Sequence, residues 1–225
     1  GGAVSPGREE SLMQDILMML LDGVPWTIAV TVLAFCVGVV LGFPICALRM
    51  SRVKVLSVLA AMLVLTLRSI PPIVWLFFIF FGIGGGYISL SPFTAAVVGL
   101  GLITAAHMSE VYRGAFAAIP AGQFEAAYAL NLSAPQRFFD VVLPQLVRIA
   151  IPTSATYAIG LLKDSAVAST IGVGDISFQA YQVSQQTFQG LSVYSAAAVV
   201  YLVLSVPVAL CSRWLSATLK QRIAR

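Results

Sequence analysis

The sequence predicts an all-α integral membrane protein with about five transmembrane helices. Hydrophobic residues make up 59% of its 225 residues and charged residues only 10%, whereas soluble domains carry about 25% charged residues. The charged residues also divide the chain into long uncharged stretches, and the cations cluster at the ends of these stretches. A bilayer is therefore the expected solvent, and one membrane domain fits the length.

The first three spans follow from the uncharged stretches. Residues 23–48 form one span, in which Gly38 and Gly42 predict close helix packing. Residues 69–109 are long enough for two passes, so one span ends near residue 83 and the next begins near residue 92. The turn between them is marked by a run of helix-breaking residues, namely Gly82, Gly84, Gly85, Gly86, Ser89, Ser91 and Pro92.

Two shorter stretches are ambiguous. Residues 55–67 are either an interfacial helix or the first half of a span that carries Arg68 inside the membrane. Residues 149–162 give only roughly 21 Å of helix, so a fourth span must continue past Lys163 and Asp164. The last span is predicted at about 193–212, after a polar stretch rich in glutamine.

The positions of lysine and arginine set the orientation. With five spans, the basic residues that follow spans one, three and five all lie on one side: Arg49, Arg52, Lys54, Arg113, Arg137, Arg148, Arg213, Lys220, Arg222 and Arg225. The other side keeps Arg8 and, in one of two placements, Lys163, while Arg68 is assigned to neither side. We expect an external N-terminus and a cytoplasmic C-terminus. The expected division is a periplasmic segment 1–22, a transmembrane domain 23–218 with a cytoplasmic loop at about 114–145, and a cytoplasmic tail 219–225.

Several classes of site are not expected. The net charge of +4 comes from too few cations for a nucleic-acid-binding surface. The three cysteines lie in apolar stretches without CxxC or zinc-ligand spacing, which favours buried packing residues over a disulfide or metal site. The chain has no GxxxxGK[ST] sequence, so it has no phosphate-binding loop for ATP.

The loop between spans three and four has its own helical signals. Pro120 suits a helix start, and the stretch Glu125–Leu130 is rich in helix formers. Ser133 with Gln136 resembles a capping box that opens a second helix. We therefore predict two short helices at the cytoplasmic surface, with small alanines that allow close approach and an exposed Glu125 that offers a charge to a partner.

This loop resembles the EAA loop of membrane subunits of bacterial ABC importers. Glu125-Ala126-Ala127 and Leu143-Pro144 match that motif, Val141 takes the isoleucine place, and Asn131 stands where glycine is usual. Asparagine tolerates a left-handed backbone better than other side chains do, so the departure is mild. The resemblance implies that the loop couples to an ATPase through Gly122, Glu125, Ala126, Ala127, Leu130, Asn131, Leu143 and Pro144.

Other stretches resemble the permeases of polar amino acids and opines within this superfamily. They are Arg68-Ser69-Ile70-Pro71, Glu110-Val111-Tyr112-Arg113-Gly114, Gly122–Ala127, Leu162-Lys163-Asp164-Ser165 and Ile171-Gly172-Val173, while His107 stands where tyrosine is common. The resemblance implies a type I ABC importer permease in the bacterial inner membrane. Its partners would be two ATPase subunits that hold ATP and Mg²⁺, a second permease copy or a sister permease, a periplasmic binding protein, membrane lipid and an amino-acid substrate. The chain itself would be a transport subunit and not an enzyme, with no cofactor or metal of its own.

Six polar residues are candidates for the translocation path or a gate: Arg68, Glu110, Arg113, Lys163, Asp164 and Ser165. Each also has a structural interpretation. Glu110 and Arg113 are three residues apart and could form only a salt bridge, Lys163 and Asp164 could satisfy each other, and Arg68 could bind carbonyls freed at Pro71. His107 is expected to make helix contacts. A secondary transporter and a structural membrane subunit remain as alternative functions, although neither accounts for the loop.

Overall fold

A computed structural model describes residues 6–83 and 89–223, without the side chains of 6–12, 216–217 and 219–223. Every regular element in this part of the chain is a helix, as predicted. The α-helices are α1 (Pro6–Asp22), α2 (Val24–Arg49), α3 (Lys54–Ser69), α4 (Pro72–Phe77), α5 (Pro92–Ala117), α6 (Ala121–Ala129), α7 (Ala134–Gln136), α8 (Leu143–Asp164), α9 (Ile176–Thr187) and α10 (Gly190–Ile223).

The apolar helices agree with about five spans. Within the described residues, four helical stretches are long and apolar enough to cross a membrane, and the bent pair α3 and α4 makes a fifth when it is counted as one span. The bend follows from the sequence, because Ile70 precedes Pro71 and takes an extended backbone (φ −94°, ψ 132°). Arg68 lies in the last turn of α3, so the ambiguous second stretch is a helix that ends at this break.

The fourth span is longer than the uncharged stretch that predicted it. Helix continues without a gap from Ala134 through a π-helical segment Arg137–Val142, then α8, then a 3₁₀ segment Ser165–Ile171. The prediction that this span continues past Lys163 and Asp164 is therefore confirmed. The predicted second short loop helix is wrong as a separate element, because it forms the first turns of this span. Pro144 lacks an N–H, and the wide π-helical turn before it accommodates that loss without ending the helix.

The chain divides into two compact units, and the long helices α2, α5, α8 and α10 contribute residues to both. The first unit contains the described residues of Gly1–Phe35, Pro71–Gly101 and Gly160–Pro207. Its core joins α1, α9 and α10 through Ile16, Leu20, Ile176, Ala180, Val183, Val193, Ala196, Ala197 and Val200. The segment before the first predicted span is therefore a packed helix, which the charge pattern did not reveal.

A buried acid in the first unit was also missed. Asp175 is 0% exposed and caps α9, where its Oδ1 accepts a hydrogen bond from the Phe178 N–H at 2.8 Å. Its Oδ2 has no partner among the described residues. Burial raises the pKa of Asp175 to about 7. Gly23 is required beside it, since a Cβ there would lie 2.5 Å from the Asp175 carbonyl carbon.

The second unit contains the described residues of Cys36–Ile70, Leu102–Ile159 and Val208–Arg225. Within it α2 packs closely on α5, as Gly38 and Gly42 predicted. A Cβ at Gly38 would lie 2.2 Å from Thr104 Cγ2, and one at Gly42 would lie 2.6 Å from Met108 Cβ. The Tyr112 hydroxyl donates a hydrogen bond to the Val39 carbonyl at 3.0 Å and ties the same two helices together.

Some predictions fall outside the described part or hold only partly. Gly84, Gly85 and Gly86 of the predicted turn and Arg225 lie outside the described residues, as do the side chains of Arg8, Lys220 and Arg222. α5 begins at Pro92, as predicted. Cys46 is buried, but Cys36 and Cys211 are exposed on the isolated chain, so the prediction that all three cysteines are buried packing residues is wrong for these two.

We predict that Gly38→Ala lowers the free energy of unfolding by about 1–3 kcal/mol, because the added methyl overpacks the α2–α5 contact. The measurement is the thermal midpoint of the purified chain in detergent. The matched control is Gly160→Ala in α8, where the added Cβ would meet nothing within 4 Å beyond the neighbouring backbone of its own helix. Equal midpoints for the two variants would contradict the close contact.

Candidate functional site

The loop helix α6 begins and ends where its sequence dictates. Pro120 takes the N-cap position with φ −58° and ψ 139°. At the other end Asn131 adopts a left-handed backbone with φ 53°, as its place in the motif predicted. The Asn131 N–H donates to the Tyr128 carbonyl at 2.9 Å, and the Leu132 N–H donates to the Ala127 carbonyl at 3.2 Å. These two bonds form a Schellman motif, which fixes the helix end.

The segment that follows α6 is capped as predicted. The N–H of Ser133 donates to Gln136 Oε1 at 2.9 Å, and its hydroxyl donates to the same oxygen at 2.8 Å. Arg137 holds the turn from the other side. Its guanidinium lies 4.1 Å from the centre of the Tyr128 ring and donates to the Leu132 carbonyl at 3.2 Å. The turn between α6 and the fourth span is therefore held by several specific contacts.

The inner face of α6 is packed against two membrane helices. A buried cluster of Ala115, Ile119, Val142, Leu146 and Ala150, with Phe116 and Phe124 against it, joins α6 to the end of α5 and the start of α8. We call this cluster the α6 brace. The Phe116 and Phe124 ring centres are 5.6 Å apart, and the Gln145 amide donates to Gln123 Oε1 at 3.1 Å. Ala127 is 3% exposed, so it belongs to this inner face.

The outer face of α6 is uncovered. Gly122, Glu125 and Ala126 are exposed. Tyr128 and Leu130 are large apolar side chains, yet they are 62% and 73% exposed. At the start of α8, Pro144 is also exposed and Leu143 is half-buried. The predicted coupling residues therefore divide into an inner group that holds α6 in place and an outer group with no described partner.

A charged cluster lies between α2 and α5. Glu110 Oε2 is 3.0 Å from Arg113 Nε and 2.9 Å from Arg113 Nη2, which confirms the predicted salt bridge. Sequence reasoning missed the second partner, because Arg49 Nη1 also donates to Glu110 Oε1 from 61 residues away. The Arg49 side chain is 15% exposed and the Arg113 side chain 47%. Arg49 is thus the inner partner and Arg113 the outer one.

A cavity of about 530 Å³ lies beside this cluster. It is lined by Arg68, His107, Glu110, Val111, Pro152, Thr153, Thr156 and Tyr157. The His107 ring packs on the Tyr157 ring at 4.7 Å, which confirms the expected helix contact. Arg68 does not bind carbonyls freed at Pro71, and its guanidinium has no hydrogen-bond or ion-pair partner among the described residues.

The remaining path candidates do not line this cavity. Lys163 and Asp164 are exposed at the end of α8 and form no ion pair with each other, so the predicted mutual pairing is wrong. Ser165 is 1% exposed and donates its hydroxyl to the Leu162 carbonyl at 2.9 Å. In the described part of the chain, no group of three or more His, Cys, Asp or Glu side chains is arranged to hold a metal ion.

Comparison with known proteins identifies related chains. The family described as "Binding-protein-dependent transport system inner membrane component" matches residues 34–225. The L-cystine transport system permease protein TcyB of Bacillus subtilis (strain 168) is 30% identical over 95% of this chain and 92% of its own length. The arginine ABC transporter permease protein ArtQ of Haemophilus influenzae is 34% identical over 85% and 89%. The nopaline transport system permease protein NocM of Agrobacterium fabrum is 30% identical over 91% and 90%.

Solved structures share the architecture. The crystal structure of an amino acid ABC transporter with histidines matches with a TM-score of 0.85 at 27% identity, covering 92% of this chain and 96% of that one. An inward-facing structure of the MetNI methionine ABC transporter matches with a TM-score of 0.77 at 23% identity, covering 91% and 98%. The second likeness concerns the fold alone.

We predict unequal effects of the two arginines on stability. Arg49→Gln should lower the free energy of unfolding by about 2 kcal/mol, between the cost of breaking an exposed and a buried ion pair. Arg113→Gln should cost about 0–1 kcal/mol, because its exposed guanidinium is screened. Thermal midpoints of the two variants measure the difference. A larger loss for Arg113→Gln would contradict the assignment of inner and outer partners.

Proposed function

The chain belongs to the family of binding-protein-dependent transport system inner membrane components, and from this premise we propose that it is the permease subunit of an ABC importer for amino acids, driven by a separate ATPase. The relatives support an amino-acid substrate, since their names specify cystine, arginine and the opine nopaline. Among the described residues, four long apolar helical stretches and the bent pair supply a multi-pass membrane domain.

One observation carries the coupling role of α6. Its inner face is fixed by the α6 brace, while Glu125 and Leu130 project outward without a described partner, and Tyr128, whose ring contacts Arg137, remains 62% exposed. A surface helix that exposes large apolar side chains beside a charge fits a groove on another protein. We assign that groove to the ATPase, which supplies the ATP and Mg²⁺ chemistry that this chain's sequence lacks.

The residues of the loop then take separate roles. Glu125 offers a charge to a basic group on the ATPase, Leu130 fills an apolar pocket, and the small Gly122 and Ala126 allow close approach. Ala127 holds the helix in position from its inner face and Asn131 at its end, while Leu143 and the exposed Pro144 form the start of α8. Motion of the ATPases would pass through the α6 brace to α5 and α8.

The assembly we propose follows the family pattern. Two ATPase subunits, a second permease copy or a sister permease, and a periplasmic binding protein complete the importer in a bacterial inner membrane. The excess of Lys and Arg after spans one, three and five favours an external N-terminus and a cytoplasmic C-terminus, with α6 on the cytoplasmic side. Arg68, Glu110 and Arg113 lie at or beside the cavity, and Lys163, Asp164 and Ser165 are proposed for a separate part of the path.

We predict that Glu125→Lys reduces co-purification of the ATPase about tenfold or more, because the reversed charge faces a basic group on the partner. The chain should still fold, since Glu125 is exposed. The measurement is the amount of ATPase recovered with the tagged chain from membranes.

The matched control is Asp15→Lys, which reverses an exposed charge on α1 instead of α6. This variant should recover the ATPase as the unmodified chain does. Full recovery and unchanged ATP turnover with Glu125→Lys, in a chain of normal thermal stability, would refute the coupling role of α6.

A further inference from the structure

A fully buried polar cluster joins α2 to α9 within the first unit. Asp175, the N-cap of α9, and Thr27 of α2 are both 0% exposed. The Ile176 N–H donates a hydrogen bond to Thr27 Oγ1 at 3.2 Å, and the Thr27 hydroxyl donates to the Gly23 carbonyl at 3.2 Å. The turn between α1 and α2 is therefore tied to the first residue of α9 by direct hydrogen bonds.

The same cluster extends to α10. Ser177 Oγ and the Tyr201 hydroxyl are 3.0 Å apart, which is a hydrogen-bond distance. The next turns of α9 pack into the apolar core that α9 shares with α1 and α10, through Ile176, Ala180 and Val183. The start of α9 is thus held against α2 and α10 together.

The Asp175 carboxyl is only half satisfied in this cluster. Its Oδ1 accepts a hydrogen bond from the Phe178 N–H at 2.8 Å. Its Oδ2 is buried and has no partner among the described residues. A buried carboxylate whose second oxygen is unpaired is costly, whereas the neutral carboxyl group costs much less to bury. The geometry therefore favours the protonated form of Asp175.

The elements packed around Asp175 bring no cation that would hold it charged. In the described part of the chain, the first two turns of α2 and the 3₁₀ segment Ser165–Ile171 have no charged or titratable side chain. α10 contributes the Tyr201 hydroxyl, and α1 contributes Asp22, whose side chain is exposed. Burial raises the pKa of Asp175 to about 7, although the N–H groups of Phe178 and Ser177 act to lower it.

We propose that the Asp175 carboxyl is a proton-binding site that locks the start of α9 onto α2 and α10. With the proton bound, the neutral carboxyl group stays buried and the cluster is closed. Without the proton, the carboxylate gains hydration by leaving the cluster, so the start of α9 opens more often. In the orientation proposed above, α9 lies between spans four and five on the external side, and the lock responds to the pH on that side.

The direction of the pH dependence follows from the two pKa values. The pKa of Asp175 is about 7 when it is buried, against an ordinary value of 3.8 when it is solvated. The stabilisation from the lock is fully present below the solvated pKa and is lost as the pH rises through the buried one. Within this window the equilibrium constant for opening should rise by up to about tenfold per pH unit, and it should level off above about pH 7.

The test uses the full chain in lipid nanodiscs, titrated from about pH 5 to about pH 9. Infrared difference spectroscopy records the C=O stretch of a protonated carboxyl group. Hydrogen exchange with mass spectrometry records opening at the start of α9, after correction for the intrinsic pH dependence of exchange. We expect a carboxyl band that is lost with a midpoint near pH 7, and opening that increases about tenfold or more between about pH 5 and about pH 7.

Three variants assign these responses. Asp175→Asn keeps an N-cap acceptor but has no proton to lose, so the carboxyl band should be absent and the corrected exchange at α9 should not depend on pH. Asp22→Asn is the matched control, because it neutralises an exposed acid beside Gly23 and should keep both responses. Tyr201→Phe removes the neighbouring titratable hydroxyl and should keep the titration of the carboxyl band.

Two results would overturn the proton site. One is an unmodified chain in which no carboxyl band titrates between about pH 5 and about pH 9. The other is a pH dependence of α9 exchange that persists in Asp175→Asn. Should Asp175→Asn fail to fold, Asp175→Glu decides in its place, since the longer side chain changes the midpoint only if the titrating carboxyl group is at this position. An unchanged midpoint would then contradict the assignment.

Discussion

The packing between α6 and the ends of α5 and α8 is the contact on which the proposed coupling to an ATPase depends. Ala115 and Ile119 from α5 meet Val142 and Leu146 near the start of α8, and Phe124 of α6 packs against them. Close-packed protein interiors have low compressibility and transmit strain. α5 and α8 also supply His107, Glu110 and Tyr157 to the cavity. A displacement of α6 would therefore be transmitted to two helices that line the cavity.

Two prolines affect the helical path of the chain in different ways. At Pro144 the preceding π-helical segment keeps the fourth span continuous. At Pro71 the chain instead breaks, and Ile70 becomes extended between two helices. Arg68, whose guanidinium has no partner among the described residues, lies in the last turn of α3, which places a charge at the helix end beside the cavity.

Local features could be predicted from the sequence and long-range ones could not. The left-handed Asn131, the Ser133–Gln136 cap and the Glu110–Arg113 pair involve residues within a few positions of each other, where spacing fixes geometry. The pairing of Arg49 with Glu110 depends on how α2 packs against α5, and the spacing of residues along the sequence does not predict such a contact. α1 was missed for the same reason, since the contacts of its buried face are with α9 and α10. The second loop helix was misplaced because a π-helical turn has no clear sequence signal.

The most direct test is whether α6 moves together with α8 during transport. Gln123 and Gln145, whose side chains are hydrogen-bonded, are replaced by cysteine in a chain whose Cys36, Cys46 and Cys211 are alanine. A short bis-methanethiosulfonate reagent then crosslinks α6 to α8 in the assembled importer. ATP-driven uptake of a labelled amino-acid mixture into proteoliposomes should be unchanged. The reason is that the crosslink joins α6 to α8, and these two helices move together in the proposed mechanism. Loss of uptake that a reductant restores would contradict transmission through the α6 brace.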